Sequence, residues 1–173
     1  MSRGTADAVT RPPHKAPPQA PVLEVKPRQA LAGEGAVVRV PSGEALQVGA
    51  SLGIVIGSVA CRVPEAEAWR HVAGYLVAAD FSLPLTSHYR PAVRLKARDG
   101  FCPIGPQVMP AALVDHPDDL PVEVVIDGAV AHRHLTGPRT RGVARLDARH
   151  HRRVVGGELL VVGQVAREMR KHG

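Results

Sequence analysis

The sequence predicts an α+β domain made mainly of strands. Short apolar runs recur along the chain, each closed by Gly, Pro or an Asp-Gly pair, which is how half-buried strands and their turns read. One or two stretches at most carry a helical pattern. Aromatic residues are only 3% of the 173, so Val, Leu, Ile and Ala must fill a core that one domain of this length can bury.

Taken in order, residues 1–20 are rich in Pro and Ala without apolar periodicity and read as an extended or disordered arm. Pro21–Val25 alternates well enough for a short strand ending at Lys26-Pro27, and Ala36–Val40 reads as a second, closed by Pro41-Ser-Gly43. Ser51–Ile56 is almost wholly apolar and so is expected to be a central strand. Glu65–His71 reads as a short helix with Pro64 at its first turn, its Trp69 and Val72 side facing the sheet. The apolar run Tyr75–Ala79 then leads as a buried strand into Asp80. Gln107–Met109 is a possible strand, and Val122–Ile126 with Asp127-Gly128 and Ala129–His134 reads as a hairpin.

The net charge of +6 and a pI near 10 would ordinarily raise nucleic-acid binding. Its distribution argues against that. Residues 1–136 hold 13 basic and 13 acidic side chains, whereas residues 137–173 hold nine basic against three acidic, which is the whole excess. The body is expected to be an ordinary soluble enzyme domain and the tail a solvated basic run. No apolar stretch reaches the roughly 18 residues of a membrane span, and the start lacks a secretory segment, so the expectation is a cytoplasmic protein without membrane contact. Cys61 and Cys102 lack metal-type spacing and are expected to be reduced thiols.

The chemistry is concentrated between residues 75 and 106. Asp80 stands at the end of an apolar strand, and Lys96 and Asp99 return from a loop just before Gly100. Such a trio could hold a hard divalent cation and an anionic substrate together, since these cations take oxygen ligands and a lysine can neutralise a carboxylate. It could equally be a surface salt bridge around a turn. Arg94 and Arg98 flank Lys96 at spacing two, which would align all three in an extended segment. Tyr89 and Arg90 lie in a loop where an arginine fork could bind a dicarboxylate, or simply pack. His71 and His88 could act as acid or base, though a solvated histidine is commoner.

Ala73–Asp80 followed by Lys96-Ala-Arg-Asp-Gly-Phe-Cys-Pro-Ile-Gly-Pro106 resembles the signature of the fumarylacetoacetate hydrolase family. The run His88–Pro103, with His14–Pro18, Lys26-Pro-Arg28 and Leu52–Gly57, is similar more narrowly to the amino-terminal half of the bifunctional isomerase/decarboxylases of homoprotocatechuate breakdown. The resemblance covers residues 14–135 in order. It implies a mixed β-roll or sandwich, and a metal-stabilised enolate reaction on 2-hydroxyhepta-2,4-diene-1,7-dioate or its carboxylated precursor. The metal would be Mg²⁺, or Mn²⁺ or Ca²⁺, with Asp80 as a ligand, Lys96 and Asp99 as catalytic residues, and Tyr89, Arg90 and Lys96 on the substrate.

Several parts of that pattern are missing. The family's acidic pair falls on Gly49 and Ser51, and the Asn usual before the aspartate is Ala79. No His-x-x-Glu lid pair stands near the amino terminus. The Pro-Gly-Asp and Gly-Thr-Pro turns of the closing strands are absent from residues 137–173, so the fold is expected to be incomplete at its carboxy end. A shifted reading frame is one origin for such a tail, and a divergent basic helix the other. The division expected is therefore an arm (1–20), a family-like domain (21–136) and an atypical tail (137–173). Two functions follow from the resemblance: a metal-dependent isomerase/decarboxylase subunit, or a non-catalytic half that packs against an active paralogous domain. Partners would be a small dicarboxylate, with homo-oligomerisation or pairing with that paralogue. A nucleic-acid binder resting on the tail is a distant third.

Overall fold

The computed structural model describes residues 25–84 and 93–137, with the backbone of residues 159–162 and 167–169. Residues 1–20 and all of the expected strand at 21–25 except its last residue lie outside that range, and Val25 itself is exposed and belongs to no strand.

The chain is mostly strands. A 3₁₀ turn (Arg28–Ala30) leads into β1 (Leu31–Ala32), and β2 (Leu46–Ile56) is followed by a 3₁₀ helix (Glu65–His71) and β3 (Val72–Ser82). One helical turn, α1 (Val93–Lys96), precedes β4 (Cys102–Pro103) and β5 (Met109–Pro110). The hairpin strands β6 (Pro121–Ile126) and β7 (Ala129–Leu135) come next, then β8 (Leu159–Val162) and β9 (Arg167–Met169).

The spine of the fold is the antiparallel β2–β3 pair, in register from Gln47↔Ser82 to Val55↔Gly74, with an irregularity between Val55 and Ile56. β2 starts five residues earlier than the apolar run implies, because Gln47-Val-Gly-Ala gains its strand character from pairing with β3 rather than from its own propensity. Leu159–Val162 and Arg167–Met169, expected to lie in a tail apart from the domain, are instead strands on the other side of β2. An apolar strand of this length presents a row of backbone N–H and C=O groups on each side, and β8 and β9 satisfy the row that β3 leaves open. The resulting sheet runs β5-β3-β2-β8 with β9 also on β2, every pairing antiparallel.

Two clusters lie toward opposite ends of β2, and its Leu46, Leu52 and Ile54 share one face. Leu52, Ile54 and Ile56 pack with Val72 and Tyr75, and Ala111, Val114 and Leu120 cover them. Toward the other end Leu46, Leu83 and Phe101 form a second cluster. Burying one such aliphatic side chain contributes about 1.5–3 kcal/mol. The expected strand Ala36–Val40 is not one. Its alternation is real, since Val38 and Val40 are half-buried against the second cluster while Val37 is exposed, but among the described residues no strand pairs with it.

The helix expected at Glu65–His71 is present as a 3₁₀ helix, and that moves its buried side. Three residues per turn align positions 65, 68 and 71, so Ala68 is buried and Trp69 is 38% exposed. Val72 is buried, as the first residue of β3. The strand expected from Gln107 is reduced to Met109–Pro110, which crosses so close to β3 that a Cβ at Gly74 would collide with the Met109 carbonyl. The hairpin is as expected: Asp127 and Gly128 both take positive φ (51° and 78°), the backbone a tight two-residue turn requires.

Candidate functional site

Asp80 lies on β3 with its carboxylate between two lysines. The strand does not end there, as the apolar run suggests, but continues through Phe81 and Ser82, whose backbones pair with β2. Lys26 Nζ approaches Asp80 Oδ1 at 2.6 Å and also donates to the backbone carbonyl of Lys96 at 2.9 Å. Lys96 Nζ lies 3.6 Å from the second oxygen, Oδ2. The Lys26 and Asp80 side chains are only 15% and 17% exposed, so the pair sits in a partly desolvated setting where its attraction is stronger than at a surface.

Three strands of local structure put these groups together. Pro27 fixes the backbone after Lys26, and the turn that follows buries Ala30 completely and brings β1 alongside β4 in parallel. The loop returning from α1 is pinned to β3 by Leu83 N–H to the Leu95 carbonyl (3.0 Å) and Phe81 N–H to the Phe101 carbonyl (2.9 Å). Gly100, at φ +71°, makes the turn and donates its N–H to the Gln29 carbonyl at 3.0 Å. Cys102, fully buried beside the cluster, has its thiol pushed up by burial, with Lys26 lowering it and Asp80 raising it. Such a thiol stays protonated and unreactive.

The expected site residues are therefore brought together only in part. Asp80 and Lys96 meet. Asp99 is exposed on the turn and, among the described residues, makes no hydrogen bond or ion pair. Tyr89 and Arg90, with His88, lie outside the described residues. The aligned tri-basic face does not form, because Val93–Lys96 is a helical turn and not an extended segment. At about 100° per residue, positions two apart point to opposite sides, so Lys96 turns inward while Arg94 and Arg98 stay exposed. Sequence reasoning gave Lys26 no role in the site, using it to end a strand and, within Lys26-Pro-Arg28, as part of the family resemblance. That matched segment was the available signal.

The donor set does not fit a resident divalent ion. Gly49 stands directly opposite Asp80 in the ladder and Ser51 opposite Ala78, so the face that would supply further carboxylates supplies none. Ser51 is 1% exposed, and its Oγ has no hydrogen-bond partner among the described residues. No group of three His, Cys, Asp or Glu side chains converges among the described residues. One carboxylate already engaged by two ammonium groups cannot replace the six or more oxygens such a cation requires.

A separate cavity of about 430 Å³ lies against Trp69, Tyr75, Ala111, Val114, Asp115 and Pro117. Tyr75 and Asp80 are five residues apart on one strand, so their side chains leave opposite faces of the sheet and the cavity is not part of the cluster. Burial, with Asp118 adding to it, pushes the Tyr75 phenol up to about 12. Among the described residues no helix is long and apolar enough to cross a membrane.

The family described as fumarylacetoacetate (FAA) hydrolase C-terminal matches residues 2–165. The chain belongs to the fumarylacetoacetate hydrolase family. It is 39% identical over 140 residues to the 4-hydroxyphenylacetate degradation bifunctional isomerase/decarboxylase of Escherichia coli, a match covering 81% of this chain and 32% of that protein. The chain thus spans about a third of that relative's length. Among solved structures of this fold, the 2-hydroxyhepta-2,4-diene-1,7-dioate isomerase of Mycobacterium marinum superposes with a TM-score of 0.73 at 28% identity, over 83% of this chain and 57% of that one. The maleylpyruvate hydrolase of Sphingobium sp. SYK-6, solved in complex with manganese(II) and pyruvate, superposes with a TM-score of 0.71 at 24% identity, over 79% and 51%. The family fold accounts for the mostly β architecture, and the family match extends through the strand β8.

Proposed function

We propose that the chain serves 4-hydroxyphenylacetate breakdown through homoprotocatechuate, as a component of the isomerase/decarboxylase that handles 2-hydroxyhepta-2,4-diene-1,7-dioate or its carboxylated precursor. One observation carries the reading: Lys96 is held beside Asp80 by the fold, with its side chain still 30% open to solvent. A substrate carboxylate would meet Lys96, the more exposed of the two ammonium groups around Asp80. In this reading Tyr89 and Arg90 complete the grip on the dicarboxylate, and Asp99 serves proton transfer along the dienol.

A second reading has a specific observation in its favour. The occupation of Asp80 by Lys26, with Gly49 and Ser51 across the ladder, suits a half that leaves the metal-assisted enolate step to a paralogous domain carrying the acidic ligands. The chain would then contribute a packing surface and a carboxylate-attracting cluster.

Loss of the dienol absorbance, followed with the purified chain alone and mixed with a paralogous catalytic domain, tests both. Turnover by the chain alone, lost in Lys96→Met, supports the enzyme. A stable complex that turns over only when mixed supports the non-catalytic half. Neither turnover nor a complex would sink both readings.

A further inference from the structure

Lys26 holds Asp80 more as a coordinated ion is held than as a surface ion pair is. Its ammonium takes a carboxylate oxygen at 2.6 Å and a backbone carbonyl at 2.9 Å. Those are the two oxygen types that hard cations collect from proteins, and here the N–H donors of an ammonium use them. The Lys26 side chain is 15% exposed, and its ammonium sits between three segments distant in sequence: its own, β3, and the end of α1. On the facing strand Gly49 offers no side chain opposite Asp80, and the next position on that face is the buried hydroxyl of Ser51, which has no hydrogen-bond partner among the described residues.

We infer that the Lys26 ammonium is the resident cation of this site, standing where a divalent metal would stand, and that it makes Asp80 an anchor for the segment beginning at residue 26 instead of a metal ligand. Charge decides the competition. An incoming Mg²⁺ or Mn²⁺ would gain one carboxylate while meeting two ammonium groups within contact distance of it, and a single carboxylate binds such ions weakly even without that repulsion. A tethered cation also carries no association cost, because the chain already delivers it. The inference rests on the cluster itself and is independent of which substrate the chain meets.

The test uses the full chain, with manganese as the probe. In a Mn²⁺ titration followed by electron paramagnetic resonance, the natural chain should leave the ion free into the millimolar range, and its unfolding midpoint should be the same with Mn²⁺ or with EDTA. Lys26→Met and Asp80→Asn should each lower that midpoint by about 6–20 °C. The double variant should lose clearly less than the sum of the two, because the Lys26–Asp80 pair is removed by both. Should Lys26→Met fail to fold, Lys26→Arg, which keeps the cation, should retain the midpoint and the indifference to Mn²⁺. Stoichiometric Mn²⁺ binding by the natural chain that disappears in Asp80→Asn would overturn the inference, and so would additive losses in the double variant.

Discussion

Gly49 faces Asp80 directly across the β2–β3 ladder, so the carboxylate at the centre of the cluster has a hydrogen atom for a cross-strand neighbour. Opposed residues on one face of an antiparallel pair bring their Cβ atoms to about 4.5–5.5 Å. Side chains placed at Gly49 and Ser51 would therefore converge on Asp80. The variant Gly49→Glu/Ser51→Glu/Lys26→Met should bind Mn²⁺ at least about tenfold more tightly than Gly49→Glu/Ser51→Glu with Lys26 retained, because the ammonium in the latter neutralises the added charge. Isothermal calorimetry on the two variants checks this, and equal affinities would mean that Lys26 does not compete with the ion.

Lys96 is the member of the cluster with access to solvent. Lys96→Met should weaken binding of a dicarboxylate substrate analogue by about 10–100-fold, the range expected on losing one hydrogen bond to a charged group, while lowering stability little. Equilibrium dialysis with a labelled analogue measures it. Unchanged affinity would leave Lys96 with a purely structural part beside Asp80.

Tyr75 should make stability depend on pH in the alkaline range. Its phenol is raised from 10.0 to about 12 in the folded chain, so the folded state holds this proton more tightly than the unfolded state does. The contribution is full below pH 10.0 and is lost as pH rises through about 12. It amounts to about 2–3 kcal/mol, at 1.36 kcal/mol for each pK unit. Urea unfolding at a series of alkaline pH values should show this decline in the natural chain and a shallower one in Tyr75→Phe.

Thr136 closes the hairpin through its hydroxyl and its backbone N–H. Its hydroxyl donates to the Pro117 carbonyl (2.8 Å) and accepts from the Leu120 N–H (2.8 Å), while its own N–H donates to the Leu120 carbonyl (2.9 Å). Thr136→Val keeps the shape and removes the hydroxyl, taking that partner from the buried Pro117 carbonyl and the part-buried Leu120 N–H. The expected loss is about 1–3 kcal/mol in chemical denaturation. A loss no larger than that of an exposed substitution would mean that water takes the hydroxyl's place.

The amino-acid sequence by itself determined the strands that carry their own apolar pattern and turn chemistry. Ser51–Ile56, Tyr75–Ala79 and the Asp127-Gly128 hairpin are local signals, because two-residue periodicity and a positive φ are properties of neighbouring residues. It also determined that Asp80 and Lys96 belong together, since their order and spacing match the family signature, and that two expected ligand positions hold Gly49 and Ser51.

The tertiary structure alone decided what depends on distant partners. Whether Ala36–Val40 became a strand turned on the presence of a neighbouring backbone, and among the described residues none pairs with it. Whether Leu159–Val162 and Arg167–Met169 stayed apart turned on the open side of β2, which pairs with both. The occupant of Asp80 was the least legible feature. Lys26 is 54 residues away in sequence, and an ion pair over that distance leaves no periodicity to read. Only the folding of the 26–30 segment onto β3 and α1 converts a lysine before a proline into the cation of the site.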